Sequence, residues 1–298
     1  MVSTLILSAG LGTRLAPLTS WRPKPLVPIG DRPAVAAIVS RVAAVSRVVV
    51  LNAHHRADDI ERYARSAGLL LSREEELLGT AGGLAHAAEL LGGGDVLVWN
   101  GDMDGELDPT ALLGAYAGDR AGGAVATLAV KPRADAAGNV GLDGSGSVVR
   151  IRRETAREGE AASADFLGIY VVGEALRRSL PPSGDIIAEC FLPALRRGDR
   201  IAAFVCEVPF FDIGTPRAYL DANLRWLAAR GASSWVEASA QVDAEVTLDR
   251  VLVGAGARVI GHGAIERCVV WPGARVVAPL ADTVVAAEGT VSVERPAQ

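Results

Sequence analysis

Short apolar segments alternate with segments of helical spacing along roughly the first 130 residues of the chain. The apolar segments predict strands, and they are Val2–Leu7, Val48–Leu51, Leu69–Leu71, Asp95–Trp99 and Ala124–Val130. The segments of helical spacing are Val35–Val45, Asp58–Ser66, Gly83–Leu91 and Pro109–Ala117. Strands that alternate with helices of this length predict an α/β fold, a Rossmann-like mixed, mainly parallel sheet flanked by helices. Such sheets bind their ligands beyond the carboxyl ends of the strands.

The pattern changes after about Ala232, where the helical spacing stops. Aliphatic residues then recur every six positions, as in Val236, Val242 and Leu248, and the sequence GARV occurs twice, ending at Val259 and Val276. This period is typical of a parallel β-helix, in which each side of a coil places one aliphatic residue inward. A few irregular hairpins are the weaker alternative. We therefore predict a large domain over residues 1–230 and a short β-helix over residues 235–293.

The composition excludes some classes of function. A net charge of −5 argues against a nucleic-acid coat and against binding to anionic membranes, both of which need excess Lys and Arg. The three cysteines are scattered, so we expect free thiols rather than a disulfide framework or a zinc site. No signal peptide or spanning segment is evident in the sequence, and we expect a cytoplasmic protein.

A glycine-rich turn with two nearby cations follows the first predicted strand. Gly10-Leu-Gly-Thr-Arg14 would let backbone N–H groups approach a phosphate. It lacks the third glycine of the dinucleotide fingerprint and the Gly-Lys-Ser/Thr of a Walker loop, which disfavours an oxidoreductase or an ATPase. Lys24 lies between two prolines that fix its backbone. A rigid proline-rich loop with a solvated lysine is the alternative for Lys24 alone; Arg14 and Lys24 together favour an anion site.

Two aspartates end apolar runs. Asp102 follows Val98-Trp99-Asn100-Gly101, and Asp212 follows Phe210-Phe211 and precedes a Gly-Thr-Pro turn that is expected to start a helix. Each alone could be a turn or N-cap residue. Together with a basic glycine loop, the pair favours Mg²⁺, which binds hard oxygen ligands and usually takes one or two carboxylates plus phosphate oxygens.

Two further clusters receive other interpretations. His54-His55 is interpreted as a packing or substrate-rim pair, since neighbours in a strand point to opposite faces. Glu74-Glu75-Glu76 is interpreted mainly as a solvated acidic patch, with the alternative that one carboxylate contacts a base N–H.

The sequence SAGLGTRLAPLTSWRPKPLVPIG at residues 8–30 resembles the signature of the sugar-1-phosphate nucleotidyltransferases, also called NDP-sugar pyrophosphorylases. Further similar motifs follow in the family's order, namely LGTAGG at 78–83, NGD at 100–102, GNVG at 138–141, GIY at 168–170 and DIGTP at 212–216. The six-residue repeats resemble the left-handed β-helix appended in many members. The resemblance covers nearly the whole chain.

The resemblance implies a role for each matching position. Arg14, Lys24 and Asp102 would be catalytic, and Asp102 and Asp212 would hold Mg²⁺. Nucleotide contacts would come from Leu7, Ala9, Gly10, Gly12, Thr13, Glu76, Gly79, Thr80 and Gly82, and sugar contacts from Gly141, Glu154 and Gly168.

One departure from the family concerns the sugar phosphate. Many members have Glu-Lys-Pro where this chain has Glu154-Thr-Ala, so the lysine that would grip the phosphate is missing. Arg152, Arg153 or Arg157 could replace it, because a guanidinium fork suits phosphate.

The substrates implied are a nucleoside triphosphate and a sugar 1-phosphate. The LGTAGG loop resembles members that use GTP with mannose 1-phosphate; UTP or dTTP with a glucose-type or amino-sugar 1-phosphate is the alternative. A catalytically silent homologue that binds a nucleotide-sugar and regulates a partner is a further alternative. The β-helix ends in unpaired edges, so we expect a homo-oligomer formed through it.

Overall fold

The computed structural model describes residues 1–294, leaving aside the side chain of Asp104. The strands in this part of the chain are β1 (Val2–Leu7), β2 (Pro28–Ile29), β3 (Arg32–Pro33), β4 (Ser46–Ala53), β5 (Leu70–Arg73), β6 (Val96–Asn100), β7 (Met103–Gly105), β8 (Ala124–Arg133), β9 (Val140–Leu142), β10 (Val148–Ile151), β11 (Glu154–Thr155), β12 (Ala162–Val172), β13 (Arg200–Val205), β14 (Phe210–Asp212), β15 (Ser234–Val236), β16 (Gln241–Val242), β17 (Val246–Val253), β18 (Arg258–Val270), β19 (Arg275–Ala286) and β20 (Gly289–Ser292).

The helices over the same residues are α1 (Leu18–Trp21), α2 (Ala34–Val42), α3 (Ala57–Ser66), α4 (Gly79–His86), α5 (Ala88–Leu91), α6 (Pro109–Ala121), α7 (Glu174–Arg177), α8 (Leu192–Arg197) and α9 (Pro216–Ala228). Short 3-10 turns cover Thr13–Leu15 and Lys24–Leu26, and a π-helical turn covers Ile187–Phe191.

The chain forms two compact units. Within the described residues, the first unit contains residues 1–10 and 37–210, and the second contains residues 11–36 and 211–294. Residues 11–36, which hold most of the signature segment, therefore group with the C-terminal part of the chain. The predicted domain limits of 1–230 and 235–293 stay a prediction.

A ten-stranded mixed sheet forms the frame of the first unit. Its main path runs β11-β10-β9-β12-β6-β1-β4-β5, with β8 on β12 and β13 on β8. The pairs β1–β4, β1–β6, β4–β5 and β8–β13 are parallel, whereas β12 is antiparallel to β6, β8 and β9. The predicted α/β sheet with helices on it is confirmed, and the predicted strands near residues 2, 48, 69, 95 and 124 all lie in it.

The first unit's core is aliphatic. Leu5, Val50 and Val98 are fully buried and belong to one cluster with Leu84 of α4 and Phe191. Strands β1, β4 and β6 are mostly buried along their length, as expected for the central parallel strands of a sheet with both faces covered.

The second unit has a core of its own that joins three segments. Leu15, Leu18 and Val27 from the signature segment are buried with Tyr219 of α9 and with Trp271. Trp271 Nε1 donates a hydrogen bond to Tyr219 Oη over 2.9 Å, and Tyr219 Oη donates to the Pro28 carbonyl over 2.5 Å. The C-terminal strands thus help hold the segment that carries Arg14 and Lys24.

The strands from β15 to β19 pair in parallel, which is consistent with the predicted β-helix, whereas β20 pairs antiparallel to β19. Val242 pairs with Val259, which pairs with Val276, so successive coils bring equivalent positions of the repeat into register. Val253, Val270 and Val285 form a second buried column. Val236 is an exception to the inward pattern: it is 40% exposed, since β15 lies at the end of the row of strands.

Across residues 1–294, no helix combines the length and the apolar character that a membrane crossing requires.

Candidate active site

Asp212 binds two cations in the second unit. Its Oδ1 lies 3.1 Å from Lys24 Nζ, and its Oδ2 lies 3.0 Å from Arg14 Nη2. The Lys24 side chain is 9% exposed, whereas that of Arg14 is 67% exposed. The cations and the carboxylate that the sequence selects separately therefore form one cluster.

The backbone around Lys24 is fixed by local chemistry. Pro23 adopts an extended conformation and Pro25 lies in the first turn of the 3-10 segment that Lys24 begins. The neighbouring Gly12 has a φ of 62°, and a Cβ there would lie 2.8 Å from Thr19 Cγ2 and 3.3 Å from Lys24 Cβ. Glycine at this position therefore serves both a left-handed conformation and a close approach.

Charge and packing set the ionisation of Asp212. Burial raises the pKa of the Asp212 carboxyl, but Lys24 and Arg14 lower it more, so that its pKa lies below the usual value for an aspartate. Gly214 packs against the cluster: a Cβ there would lie 2.7 Å from Asp212 Oδ1 and 2.9 Å from Arg14 Nη2. Thr215 then caps α9, its Oγ1 accepting from the Ala218 amide, which confirms the predicted helix start after Gly-Thr-Pro.

The described side chains do not by themselves form a metal site. Within the described residues, no group of three or more His, Cys, Asp or Glu side chains could hold a metal ion. Asp212 is already paired with two cations, Lys24 and Arg14. Asp102 belongs to the first unit, at the carboxyl end of β6, and its pairing with Asp212 on one ion stays a prediction.

A chain of hydrogen bonds orders the first unit beside the end of β1. The Ser8 amide donates to Asn52 Oδ1 over 2.6 Å, Asn52 Nδ2 donates to Glu74 Oε1 over 2.7 Å, and the Leu78 amide donates to Glu74 Oε2 over 3.2 Å. Glu74 is 3% exposed, so its interpretation as part of a solvated acidic patch is wrong. Glu76, the predicted base contact, is exposed.

Buried Glu74 was missed because its neighbours in sequence are charged. Its burial depends on Asn52, which is 22 residues away in the chain. The available signal is an acidic residue three positions after the predicted strand Leu69–Leu71, since a carboxylate near a strand end can accept hydrogen bonds from a following segment.

The segment 78–83, which forms the start of α4, is packed tightly against residues 182–186. A Cβ on Gly79, whose φ is 75°, would lie 2.5 Å from the Gly184 oxygen, and one on Gly82 would lie 2.6 Å from the Pro182 oxygen. Thr80 Oγ1 accepts from the Ile186 amide over 2.7 Å. These contacts explain the small residues by packing; nucleotide contacts by Gly79, Thr80 and Gly82 stay a prediction, as do those by Leu7, Ala9, Gly10, Gly12 and Thr13.

A cavity of about 250 Å³ lies in the first unit. It is lined by Thr80, Asn100, Met103, Asn139, Ile151, Arg152, Phe166, Leu167, Gly168, Tyr170, Asp185, Ile186 and Ile187. Asn100 and Met103 flank Gly101-Asp102 in sequence, so the cavity lies beside the NGD motif. Gly168, with a φ of 69°, leaves room for Asn100: a Cβ there would lie 2.4 Å from the amide nitrogen.

The other two residues predicted to contact the sugar, Gly141 and Glu154, pack against or pair with charged side chains. Gly141 packs under Glu160, whose carboxylate receives two hydrogen bonds from Arg150, and a Cβ on Gly141 would lie 2.3 Å from a Glu160 oxygen. Glu154 forms an ion pair with Arg196. Among the described residues that line the cavity, Gly168 is present and Gly141 and Glu154 are not. Their sugar contacts stay a prediction.

Comparison with known proteins places this site in context. The model of the nucleotidyl transferase family matches residues 3–228. Mannose-1-phosphate guanyltransferase of Schizosaccharomyces pombe is 30% identical over 239 residues, a match that covers 76% of this chain and 65% of the yeast protein. Mannose-1-phosphate guanylyltransferase of Mycobacterium tuberculosis is 28% identical over 277 residues, covering 87% of this chain and 74% of that protein.

A shorter match is to a protein named for uridylyl transfer rather than guanylyl transfer. N-acetylmuramate alpha-1-phosphate uridylyltransferase of Caulobacter vibrioides is 38% identical over 107 residues, or 33% of this chain and 44% of that protein. Among solved structures, HddC from Yersinia pseudotuberculosis in complex with GMP-PN superposes with a TM-score of 0.62 at 23% identity, covering 76% of this chain and all of HddC. At that identity the likeness establishes a shared fold.

Proposed function

Because the chain belongs to the nucleotidyl transferase family, we propose that it transfers a nucleoside monophosphate from a nucleoside triphosphate to a sugar 1-phosphate and releases pyrophosphate. The observation that carries this proposal is the cluster of Arg14, Lys24 and Asp212, two cations on one carboxylate within the signature segments. The chain spans about two thirds of the yeast relative's length, so the activity named for that relative is transferred as a proposal.

The reaction needs positive charge more than it needs a covalent nucleophile. An oxygen of the sugar phosphate forms a bond to the α-phosphorus, the bond from the α-phosphorus to the bridging oxygen breaks, and the electron pair leaves with pyrophosphate. Both reactants are anions, so neutralisation and alignment lower the barrier. Lys24 is held at low exposure, where its charge is less screened by water, and exposed Arg14 can follow the departing pyrophosphate.

We propose Mg²⁺ as the cofactor, held by Asp102 and Asp212 with phosphate oxygens. When bound, the ion would supply positive charge to the phosphate oxygens. The Asp212 carboxylate fits this role because its low pKa keeps it ionised at neutral pH. Lys24 and Arg14 repel a bare divalent ion from Asp212, so the metal is expected to enter as a complex with the nucleotide.

GTP and mannose 1-phosphate are the substrates we propose first. Two relatives that match three quarters or more of this chain are named for guanylyl transfer to mannose 1-phosphate. UTP with an amino-sugar 1-phosphate is the alternative, supported by the uridylyltransferase match over a third of the chain.

A pyrophosphate-release assay tests the proposal. The purified full chain is incubated with Mg²⁺ and each of GTP, UTP, dTTP, ATP and CTP against a panel of sugar 1-phosphates. We expect turnover with one nucleotide preferred, highest with GTP and mannose 1-phosphate, and strongly reduced in Lys24→Met. If no pair is turned over but calorimetry still shows binding of a nucleotide-sugar, the proposed activity is wrong and the chain is a regulatory homologue.

We also propose that the β-helix carries a homo-oligomer contact. Strand β15 lies at one edge of the C-terminal sheet, where unpaired backbone groups can pair with another chain. Val236 on β15 is 40% exposed and Val277 on β19 is 60% exposed. Light scattering on the full chain should give a mass above 30.9 kDa, and Val277→Lys should lower it; a monomer in both cases would refute the contact.

A further inference from the structure

The cavity beside the NGD motif has the size and lining of a monosaccharide site. Its volume of about 250 Å³ is at or below the lower end of the range of ~300–1,000 Å³ typical of ligand pockets, so a single sugar ring fits better than a whole nucleotide. Amide side chains of Asn100 and Asn139 line it together with the ring of Phe166. Asn139 is held in place because its Oδ1 accepts from the Phe166 amide over 2.8 Å. Polar groups that converge on an apolar wall suit a hydroxylated ring.

Arg152 brings positive charge to this cavity. Among the described residues in the lining, it is the one with a permanent positive charge. It occupies the tight turn between β10 and β11 with a φ of 58°, in the left-handed region that non-glycine residues rarely adopt, and its amide donates to the Asn139 carbonyl over 2.6 Å. The strained backbone and the Asn139 contact fix where its side chain begins.

Neighbouring arginines are bound to other partners. Arg150 donates two hydrogen bonds to Glu160, Arg157 Nη2 donates to the Asp199 carbonyl over 2.6 Å, and Arg196 pairs with Glu154. Arg153 is exposed and is not among the residues that line the cavity. Of the three arginines close to the missing family lysine, only Arg152 therefore combines a place in the lining with an accessible guanidinium.

The partner of Arg152 can be exchanged. Arg152 Nη2 lies 3.1 Å from Asp185 Oδ1, and the two side chains are 54% and 40% exposed. A pair so exposed is worth only about 0–1 kcal/mol, so little is lost when Arg152 leaves it. Asp185 is held independently, because Oδ1 also accepts from the Ile187 and Ala188 amides. A phosphate, which offers Arg a bidentate and more highly charged partner, would compete well for Arg152.

We infer that Arg152 binds the phosphate group of the sugar 1-phosphate, exchanging Asp185 for the substrate. This inference rests on the proposed function and names the residue that takes the place of the family's lysine. Asp185 then acts as the resting counter-ion that keeps the guanidinium at the cavity.

Steady-state kinetics of three variants test the inference. Arg152→Gln is expected to raise KM for the sugar 1-phosphate by about 10- to 100-fold, as for loss of a charged hydrogen bond, with KM for the nucleotide changed less than about twofold. Arg152→Lys should fall between Gln and the unmodified chain, since lysine keeps the charge and loses the fork. Arg153→Gln removes the adjacent exposed arginine and should leave both KM values unchanged.

A binding measurement separates this inference from the proposed function. Mannose 1-phosphate should raise the thermal midpoint of the unmodified chain and of Arg153→Gln, but not that of Arg152→Gln, while the midpoints without ligand stay equal. Equal protection of all three proteins, or a rise in KM for the nucleotide instead of the sugar phosphate, would overturn the role of Arg152. If no nucleotide is turned over but the protection depends on Arg152, the proposed reaction fails and the phosphate site stands.

Discussion

Lys24 and Asp212 form an ion pair in which the lysine is the buried partner: Nζ lies 3.1 Å from Oδ1, and the side chains are 9% and 38% exposed. An ammonium that is largely removed from water depends on its counter-charge more than an exposed one does. Arg14 lies on the other oxygen of the same carboxylate and is much more exposed. This asymmetry leads to separate expectations for the three residues.

Asp212→Asn should lose stability in a pH-dependent way. Although burial alone would raise it, the pKa of Asp212 is lowered overall by Lys24 and Arg14, so the charged form stabilises the folded chain above the unfolded pKa of about 3.9 and this contribution is lost as pH falls through the folded pKa. We expect a difference of about 0.5–1 kcal/mol in the free energy of unfolding at pH 5–8, because the group is more than a third exposed. Denaturant titrations at several pH values measure it.

The control for Asp212→Asn is Asp31→Asn, which changes an exposed carboxylate of the same unit. It should leave the free energy of unfolding unchanged across the same pH range. A difference between the unmodified chain and Asp212→Asn that persists undiminished at pH 2 would show that the loss arises from packing and not from charge.

Removing the two cations should affect activity to different extents. Lys24→Met is expected to lower kcat/KM by about 10²–10³-fold, since a charge at low exposure interacts more strongly with the phosphates, and Arg14→Gln should lower it less. Lys131→Met removes an exposed lysine of strand β8 and serves as the control. A near-normal kcat/KM in Lys24→Met would contradict the proposal that the cluster of Arg14, Lys24 and Asp212 is the active site.

Gly12 has both a positive φ and a close neighbour, whereas Gly68 has only the positive φ, so the two glycines distinguish the two effects. Gly12→Ala meets a positive φ of 62° and a contact of 2.8 Å to Thr19 Cγ2, whereas Gly68→Ala meets a φ of 68° with nothing within 4 Å of the added Cβ. We expect Gly68→Ala to cost about 1 kcal/mol for the backbone alone and Gly12→Ala about 1–3 kcal/mol more. Chemical denaturation measures both; equal losses would mean that Thr19 moves aside freely.

The sequence predicts local features of this fold better than distant ones. Strand β1 and the helix start at Thr215-Pro216 follow from an apolar run and from cap chemistry, which need only a few neighbouring residues. The charged run at residues 74–76 predicts a surface position for Glu74, whereas its burial depends on Asn52 from another strand. Likewise, the small residues at Gly79 and Gly82 indicated a ligand loop, and the structure shows that residues 182–184 press against them.

The sequence alone also does not show which arginine near the missing lysine could take its role. Arg152, Arg153 and Arg157 are chemically equal in a one-dimensional pattern. The turn at Arg152, the carbonyl that holds Arg157 and the exposure of Arg153 differ only in three dimensions. Motif spacing therefore predicts the class of the site, and tertiary contacts decide which side chain reaches it.

Two buried tyrosines provide a matched test of how the second unit holds its signature segment. Tyr219 Oη accepts from Trp271 Nε1 and donates to the Pro28 carbonyl, whereas Tyr170 Oη, in the first unit, is buried without a hydrogen-bond partner among the described residues. Tyr219→Phe leaves the buried Trp271 Nε1 without its acceptor and removes one of two side-chain hydrogen bonds to the Pro28 carbonyl, to which Asn223 Nδ2 also donates over 3.4 Å. This should cost about 1–3 kcal/mol in the free energy of unfolding. Tyr170→Phe removes an unpaired hydroxyl and should be neutral or stabilising.

Activity adds a second readout for Tyr219, because Pro28 is in the same segment as Lys24. Tyr219→Phe should lower kcat/KM at a temperature where the variant remains folded, since the segment loses a fixed point that joins it to α9 and to Trp271. Unfolding curves and initial rates on the same preparations give both values. A Tyr219→Phe variant as stable and as active as the unmodified chain would mean that the C-terminal strands contribute nothing through this contact to the position of Lys24.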